Sequence, residues 1–408
     1  MSKSPYIPFN LPEIGEEEIT AVVETMRSGW LTTGARTAAF ETNFQAYTGA
    51  KYALALNSCT AALHVALVAL GIGPGDEVIT TPLTFCSTVH AIVHTGASPV
   101  LADVDDAGNL DPESVAARIT PRTKALLPVH LAGLPCRMDE LWELARRHRL
   151  FVVEDAAHAV GTHYRRHHLG AEGASQSDAV AYSFYATKNL TTGEGGMVTT
   201  NREELFLRMK CLALHGINRD AWNRYAEKGS WFYQVLEPGF KYNLSDLQSA
   251  IGLQQLRKIE RFTERRRELA GRYQRAFSAI PELECPPEAS EGRHAWHLYI
   301  LRLRVDQLRI GRDAFLVELR ERGIGISVHF IPVPLHPVYQ DLGVSYPCPR
   351  AIAMYERMFS LPLYPAMTDE QVERVIFAVS EIVREHRVSV GAVVATAQAS
   401  AAALASGQ

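Results

Sequence analysis

Three side chains that could do chemistry follow apolar segments typical of buried strands. The segment LFVVEDAAHAVG places Asp155 just past one strand, and DAVAYSFYATKNLTTGEGGMV places Ser183 and Lys188 at and after the end of another. A lysine amine can form a Schiff base with an aldehyde, and a carboxylate can keep a pyridine nitrogen protonated so that the ring absorbs electrons. A hydroxyl can donate a hydrogen bond to a phosphate. Together these residues predict a site for pyridoxal phosphate.

Each of the three residues also has a purely structural interpretation. Most lysines face solvent, Asp155 could cap the helix that follows it, and Ser183 could be an inert strand hydroxyl. The context of Lys188 favours chemistry, because the run GEGG that begins at Gly193 permits close approach of the backbone. In such a site the pKa of a lysine falls, and its amine can act as nucleophile and base. We expect Asp155 to have a lowered pKa beside a pyridinium, and Glu154 to face outward.

Two further segments put candidate ligand groups at strand ends. A strand over Tyr52–Leu56 turns at Ser58 into an apolar helix. The free N–H groups at the start of that helix could bind an anion, or Ser58 could simply cap the helix. Phe85 follows the strand in GDEVITTPLTF, where its ring could stack on a flat cofactor or pack in the core. The sequence leaves both pairs of alternatives open.

Strands and helices alternate along the first half of the chain. Apolar strands begin near residues 52, 76, 98, 124 and 150, and a helical pattern separates each from the next, which predicts a parallel sheet covered on both faces. Ligands of such α/β sheets bind beyond the carboxyl ends of the strands. Asp155 and the turn at Ser58 both fall at such ends.

The second half of the chain has a different pattern. The polar, aromatic stretch over 217–243 is interpreted as a long loop, and a long helix follows it. The strands HAWHLYILRL and GISVHFIP with further helices predict a smaller α/β domain. We therefore expect a large cofactor-binding domain over 9–250, a small C-terminal domain over 251–387, and a disordered tail over 388–408.

Composition narrows the class of protein. The 408 residues carry a formal net charge of −4, which does not mark a nucleic-acid binder, and no apolar run has the length of a membrane span. The six cysteines are scattered without a CxxC pair, and the N-terminus lacks a signal-peptide pattern, so we expect a cytoplasmic protein with free thiols. His163, His167 and His168 lack metal-ligand spacing and are interpreted as a surface loop, so no metal is expected. The chain has no GxGxxG dinucleotide motif.

In this order, the segments resemble the DegT/DnrJ/EryC1/StrS family of nucleotide-sugar aminotransferases. The match covers residues 9–387 and includes GWLTTG, NSCTAALHVAL, GDEVITTPLTF, VVEDAAHAVGTHY, SFYATKNLTTGEGG, PGFKYNLSDLQSAIG, HAWHLYIL and GIGISVHFIP. The resemblance implies pyridoxal phosphate fold type I, which is aspartate aminotransferase-like. It also implies homodimers whose active sites lie between the subunits. The segments LHGINRDAW and HAWHLY look closest to enzymes that aminate the 4-keto carbon of UDP-linked sugars.

The resemblance implies a role for each candidate site residue. Lys188 would bond to the cofactor aldehyde, and Asp155 would pair with the pyridine nitrogen. His158 would lie near the phenolic oxygen of the cofactor, and Phe85 would stack on its ring. The other expected contacts are the phosphate for Ser183, Ser58, Cys59 and Thr60, the phosphate in the partner subunit's site for Asn243, and the substrate for His329.

The implied reaction moves an amino group from L-glutamate to the 4-keto carbon of a nucleotide-linked deoxysugar. Amination at C3 by the same family is an alternative. A sugar dehydratase of the same fold would carry histidine in place of Lys188. A non-catalytic regulator that binds a sugar nucleotide or pyridoxal phosphate would not need Lys188, Asp155 and Ser183 together. Ile331 stands where some UDP-pentose enzymes of the family carry arginine, which leaves the sugar unassigned.

Overall fold

A computed structural model of the chain describes residues 5–218, 232–344 and 346–388. Residues 219–231 of the predicted long loop and residues 389–408 of the predicted tail lie outside this description. Within the described ranges, no helix is both long enough and apolar enough to cross a membrane.

Helices and strands alternate over most of the described chain. The helices are α1 (Glu16–Ser28), α2 (Ala35–Thr48), α3 (Cys59–Ala69), α4 (Cys86–His94), α5 (Pro112–Ala116), α6 (Met138–His148), α7 (Glu203–Ala213), α8 (Asp246–Phe277), α9 (Arg312–Glu321), α10 (Pro337–Asp341), α11 (Pro349–Tyr355) and α12 (Asp369–His386). The strands are β1 (Tyr52–Leu56), β2 (Glu77–Thr80), β3 (Ser98–Leu101), β4 (Thr123–Leu127), β5 (Phe151–Asp155), β6 (His163–Tyr164), β7 (His167–His168), β8 (Ala179–Ser183), β9 (Gly196–Thr200), β10 (Leu283–Glu284), β11 (Gly292–Arg293), β12 (Tyr299–Leu303) and β13 (Met358–Leu361).

The central sheet has seven strands in the order β1-β9-β8-β5-β4-β2-β3. The strands from β8 to β3 in this order pair in parallel, and β9 runs antiparallel to both β8 and β1. The predicted α/β architecture with a mostly parallel sheet is confirmed. β9 differs because the chain returns to the neighbouring position directly after β8, without a crossover helix, and such a return is antiparallel.

Alternate residues of β8 face two different core layers. Ala179 and Ala181 belong to the layer that contains α3 and α7, whereas Val180 and Tyr182 belong to the layer that contains α2 and α8. A strand buried on both faces needs apolar residues at every position. This explains why the strands of the central sheet appear in the sequence as continuous apolar runs.

A three-stranded antiparallel sheet, β10-β12-β13, organises the C-terminal part of the chain. Its core is shared with α9, α12 and the second half of α8, and it includes Tyr273, Tyr299, Phe315, Phe359 and Val379. The domain boundary predicted after residue 250 falls near the start of α8, and the helix continues unbroken across it. The first half of α8 packs on α2, so this helix contributes to both predicted domains.

The strand predicted over GISVHFIP is wrong. In the described residues, this segment forms only one isolated bridge, between Ser327 and Ser360, and Ile324 just before it bridges Ile7 instead. Because the two bridges go to different partners, no ladder of strand hydrogen bonds can extend along the segment.

The histidine-rich surface loop is also predicted wrongly. His163, His167 and His168 lie in the hairpin β6–β7, and β6 pairs with β11. The two-residue turn of the hairpin has Arg165 at a positive φ of 54°, the backbone conformation that tight hairpin turns require. His163 Nε2 lies 3.2 Å from His168 Nε2, so the two side chains hydrogen-bond across the hairpin.

Candidate active site

The parallel pairing of β5 with β8 brings the predicted reactive residues to one edge of the sheet. Asp155 at the end of β5 is aligned with Ala181 of β8, and Ser183 ends β8 two residues later. Lys188 lies in the loop that leads from β8 to β9. The carboxyl ends of parallel strands lie at the same edge, so the acid, the hydroxyl and the amine converge there.

Lys188 has the electrostatic environment of a reactive amine. Burial of the amine lowers its pKa to about 8, although the charges of Cys59 and Asp155 act in the opposite direction. The expectation of a lowered lysine pKa is confirmed. At pH 7 about a tenth of such an amine is unprotonated, far more than for an ordinary lysine.

The carboxyl of Asp155 is buried and receives two hydrogen bonds from neutral donors. The Thr88 hydroxyl donates to Oδ2 at 2.7 Å, and the backbone N–H of Ala157 donates to Oδ1 at 3.0 Å. Burial raises the pKa of Asp155, although both hydrogen bonds and the charge of Lys188 favour the ionised form. The lowered pKa that we expect for Asp155 applies to the carboxyl beside a pyridinium, and it stays a prediction.

The start of α3 lies against β9 and close to Asp155. The Ser58 hydroxyl caps α3 by accepting a hydrogen bond from the Ala61 N–H at 3.1 Å, so the capping interpretation is confirmed. A Cβ atom on Gly196 would lie 2.6 Å from the backbone nitrogen of Cys59, so only glycine permits this approach. The Cys59 thiol is buried, and its sulfur lies 4.0 Å from Asp155 Oδ1.

The other predicted phosphate ligands differ in exposure. Thr60, in the first turn of α3, is half-buried. The Ser183 hydroxyl is buried and accepts a long hydrogen bond from the Tyr185 N–H at 3.4 Å. Its own proton is therefore available to another acceptor.

Two ring side chains border this region. Phe85 is 59% exposed and its ring centroid lies 5.9 Å from that of Phe330, so the core-packing alternative for Phe85 is wrong. His158 is buried, and its Nδ1 accepts a hydrogen bond from the Ala132 N–H at 3.3 Å. Burial and the charge of Lys188 hold the pKa of His158 well below its ordinary value, so the ring is neutral.

Asn243 and His329 both make contacts within the chain. Asn243 donates from Nδ2 to the Thr33 hydroxyl at 2.7 Å, and its backbone bridges Leu56 just before α3. His329 hydrogen-bonds the Ser360 hydroxyl through Nδ1 at 2.8 Å. Burial and the charge of Lys188 lower the pKa of His329 to about 4.

The sequence interpretation missed a buried pair directly beside Asp155. Glu154 was expected to face outward, but it is 1% exposed, and its Oε2 lies 2.7 Å from His130 Nε2. Glu154 is buried because a second core layer covers its side of the sheet, and in a strand covered on both faces every side chain is buried. The run of β-branched and aromatic residues around Glu154 was the available signal.

One group of side chains away from this edge could hold a cation. Glu318, Glu385 and His386 present ligand atoms close together. Arg322 lies 3.0 Å from Glu318 and 2.8 Å from Glu385, so a guanidinium already balances both carboxylates. The prediction that the protein needs no metal stays a prediction.

A family model described as the DegT/DnrJ/EryC1/StrS aminotransferase family matches residues 12–380. The chain belongs to this family. The resemblance found in the sequence motifs is thereby confirmed.

Relatives agree with this assignment over nearly the whole chain. The spore coat polysaccharide biosynthesis protein SpsC of Bacillus subtilis is 52% identical over 383 residues, which cover 93% of this chain and 97% of SpsC. Helicobacter pylori PseC, an aminotransferase of pseudoaminic acid biosynthesis, has a TM-score of 0.86 at 30% identity, covering 94% of this chain and 100% of PseC. The PLP form of Spr1654 from Streptococcus pneumoniae has a TM-score of 0.84 at 33% identity, covering 93% and 99% of the two chains. The protein is therefore an aminotransferase that acts on sugars and uses pyridoxal phosphate.

The residues present fit the pyridoxal phosphate of this aminotransferase family. The Lys188 amine is poised to react with an aldehyde, since burial lowers its pKa to about 8. Asp155 is a buried carboxyl whose hydrogen-bond donors, Thr88 and Ala157, are neutral, and a pyridinium would supply the missing positive partner. Phe85 offers an exposed ring face, and the Ser183 hydroxyl and the start of α3 offer donors for a phosphate.

Proposed function

We propose that the protein transfers an amino group from L-glutamate to the 4-keto carbon of a nucleotide-linked deoxysugar, with UDP as the nucleotide. The observation that carries this proposal is the environment of Lys188, an amine whose pKa falls to about 8 beside the buried carboxyl of Asp155. The sequence segments LHGINRDAW and HAWHLY support the choice of the 4-keto position. The roles of SpsC in spore coat polysaccharide biosynthesis and of PseC in pseudoaminic acid biosynthesis support a product destined for a glycan.

Lys188 has two tasks in the proposed reaction. With pyridoxal phosphate bound, its unprotonated Nζ would hold the cofactor at the aldehyde carbon, with the aldehyde oxygen leaving as water, until an amino substrate takes its place. Once free, Nζ would be the base that takes the proton from the substrate carbon that carries nitrogen and the acid that gives it back. A pKa of about 8 suits both tasks, since the amine exchanges protons readily near neutral pH.

Asp155 holds a proton on the cofactor ring nitrogen. Pyridoxal phosphate, when bound, supplies an electron sink for the carbanion that forms when the substrate carbon loses its proton. The Thr88 and Ala157 donors orient both carboxylate oxygens of Asp155, so its charge points in one fixed direction. Burial strengthens the pairing between this carboxylate and a ring cation.

We further propose that the enzyme acts as a homodimer in the cytoplasm, with Asn243 serving the partner subunit's site. Asn243 lies next to Thr33 and to the end of β1, just before the predicted phosphate ligands of α3. His329 is proposed to contact the sugar nucleotide, since its neutral ring can donate or accept a hydrogen bond without adding charge beside Lys188.

The decisive experiment supplies pyridoxal phosphate, L-glutamate and a panel of UDP- and dTDP-linked sugars with a ketone at C4 or C3. We expect release of 2-oxoglutarate with a UDP-linked 4-keto sugar, and an amine at C4 in the product by NMR. An amine at C3 would assign the alternative position. Binding of the sugar nucleotides without any turnover would favour the non-catalytic regulator.

The Lys188→Ala variant tests the assigned nucleophile. We expect it to lose the visible absorbance of the lysine-bound cofactor and all transamination, because no other amine can replace Nζ at this position. The matched control is Lys124→Ala, since Lys124 is exposed on β4 and contributes nothing to the site. Retained turnover in Lys188→Ala would contradict the assignment.

A further inference from the structure

Two imidazole rings, both buried, pack on each other beside Lys188. The ring centroids of His158 and His297 are 4.4 Å apart with an interplanar angle of 36°. The two residues are 6% and 4% exposed. His158 has an expected role at the cofactor, whereas His297 has none. Such close packing means that the ring plane of His158 depends on where His297 is held.

Asn189, the neighbour of Lys188 in the chain, fixes the protonation of His297. The Asn189 amide nitrogen donates to the carbonyl oxygens of Ala295 at 3.0 Å and Val160 at 3.4 Å, so its Oδ1 must be the acceptor in the 3.1 Å contact with His297 Nδ1. The proton of a neutral His297 therefore lies on Nδ1. Its Nε2 carries the lone pair.

The Ala132 peptide connects the two histidines. Its N–H donates to His158 Nδ1 at 3.3 Å, and its carbonyl accepts from the His297 N–H at 2.9 Å. Because His158 Nδ1 is an acceptor, the single proton of this neutral ring lies on Nε2. Ala132 has a φ of 59°, in the left-handed region, so the surrounding contacts hold this peptide in a strained conformation.

Arg266 on α8 holds the turn that carries His297. Its NH1 donates to the carbonyl oxygens of Leu363 at 2.6 Å, His297 at 3.3 Å and Trp296 at 3.4 Å. Arg266 is 2% exposed, and in the described chain neither a carboxylate nor any other partner accepts from its Nε. Trp296 also has a positive φ, 47°, and is therefore a second strained residue. The buried guanidinium of Arg266 binds its carbonyl oxygen. A buried guanidinium is costly to keep, and its hydrogen bonds to the described residues all go to these backbone carbonyls.

We propose that His297, held by Asn189 and Arg266, is a positioning residue that fixes the ring plane of His158 beside the reactive lysine. It thereby preserves the hydrogen bond from the Ala132 N–H that sets the Nε2–H tautomer of His158. This inference deepens the proposed function and rests on it for the role of His158 at the cofactor. The chain of contacts runs from α8 through the turn at Trp296 and His297 to His158. For this role, neither His297 nor the residues that hold it need to contact the substrate.

Burial and the electrostatic environment keep the imidazole of His297 neutral at physiological pH. The titratable groups that face it are His158, Lys188, Arg266 and His329. Burial is the largest cause that holds the pKa of His297 well below its ordinary value, and the electrostatic interactions with these four neighbours lower it further. A neutral pair of rings adds no positive charge that would further repel a proton from Lys188.

The test compares His297→Leu with His297→Phe, and uses His168→Phe as the control. Leucine removes both the ring contact and the hydrogen bond to Asn189, whereas phenylalanine keeps a ring against His158. His168 is also partly buried against another ring, with its centroid 4.4 Å from that of Tyr47, but it lies in the hairpin β6–β7, outside the turn that carries His297. The first measurement is the ¹⁵N spectrum of His158 in the protein labelled at histidine, which reports its tautomer with or without cofactor.

We expect His297→Leu to change the ¹⁵N pattern of His158 and to shift the pH midpoint of the lysine-bound cofactor absorbance. We also expect kcat to fall by about ten-fold, a loss typical of residues that orient an active-site group. The KM for glutamate should change much less, and His297→Phe should restore part of kcat. An unchanged His158 spectrum in His297→Leu would overturn the inference, as would equal effects in His168→Phe. If the unaltered protein takes up no pyridoxal phosphate, the proposed function fails, and the His158 spectrum still tests the positioning role.

Discussion

At the scale of single residues, the site depends on Lys188 and Asp155, whose pKa values burial shifts in opposite directions. Burial favours the neutral amine of Lys188, with a pKa of about 8, and it also raises the pKa of Asp155. Each charge partly stabilises the other, so neither group has the properties of its isolated side chain. A bound ring cation would relieve the carboxylate and leave the amine as the reactive group.

Replacing Asp155 by asparagine should separate catalysis from stability. The Asp155→Asn amide oxygen can accept from the Ala157 N–H while its NH2 group donates to the Thr88 hydroxyl, whose own proton can turn to Thr84. The substitution also removes a carboxyl that is costly to bury. We expect the melting temperature to stay level or rise, while kcat falls about 100-fold to 1000-fold because the ring cation loses its counter-charge. Steady-state kinetics and thermal unfolding measure both effects.

The matched control for that substitution is Asp306→Asn, since Asp306 is exposed and lies far from the sheet edge. It should leave both kcat and the melting temperature unchanged. A near-normal rate in Asp155→Asn would remove the role of Asp155 as the partner of the ring nitrogen.

At the scale of elements, the site is made where a helix start, a strand end and a loop approach closely. β9 can lie against the first residues of α3 only because Gly196 has no side chain. The same contact brings Cys59 next to Asp155. Local sequence predicts the strand, the turn and the helix, but the distance between them is set by packing in three dimensions.

The Gly196→Ala variant should therefore disturb stability and cofactor binding together. The new Cβ would lie 2.5 Å from the backbone carbonyl carbon of Ser58 and 2.6 Å from the Cys59 nitrogen, and neither backbone atom can move freely. We expect a loss of about 1–3 kcal/mol in the free energy of unfolding, with weaker binding of pyridoxal phosphate in a titration followed by absorbance.

Gly311→Ala controls for the general cost of replacing a glycine, because a Cβ at Gly311 meets no neighbouring atom. Gly311 is the N-cap of α9, where alanine is less favourable than glycine, so the effect should stay below about 1 kcal/mol. Equal effects of the two substitutions would show that the contact between β9 and α3 has no special role.

At the scale of the whole molecule, several histidines are buried in the neutral form. Burial lowers the pKa of His294 to about 3, and burial with the charge of Lys188 lowers that of His329 to about 4. An unfolded histidine titrates near about 6.5. Below that pH the unfolded chain takes up protons that the folded chain does not, so acid favours unfolding.

The free energy of unfolding should accordingly fall as the pH drops from 7 to 4. Each such histidine contributes up to about 1.4 kcal/mol per pH unit. Urea unfolding at pH 7, 6 and 5 measures the slope. The slope should decrease in His294→Gln and stay the same in His148→Gln, whose imidazole is exposed; an equal slope in all three proteins would contradict this account.

The sequence by itself determined the α/β class, the apolar strands, and the positions of Asp155, Ser183 and Lys188 at or after strand ends. These features depend on local patterns, since burial on both faces of a parallel sheet leaves continuous apolar runs. α2 was not predicted, although Phe40 and Phe44 recur one helical turn apart and face the core. Its apolar signal is short, and many polar residues interrupt it.

Only the tertiary structure decided which distant side chains meet. The hydrogen bond between Asn189 and His297 joins residues 108 positions apart, and no local pattern in HAWHLY indicates it. The same holds for Glu154, which faces inward because a second layer of helices covers its side of the sheet, and for Gly196, whose missing side chain matters only against α3. Packing decides such contacts, because a contact between remote residues forms only after loop closure has brought their elements together.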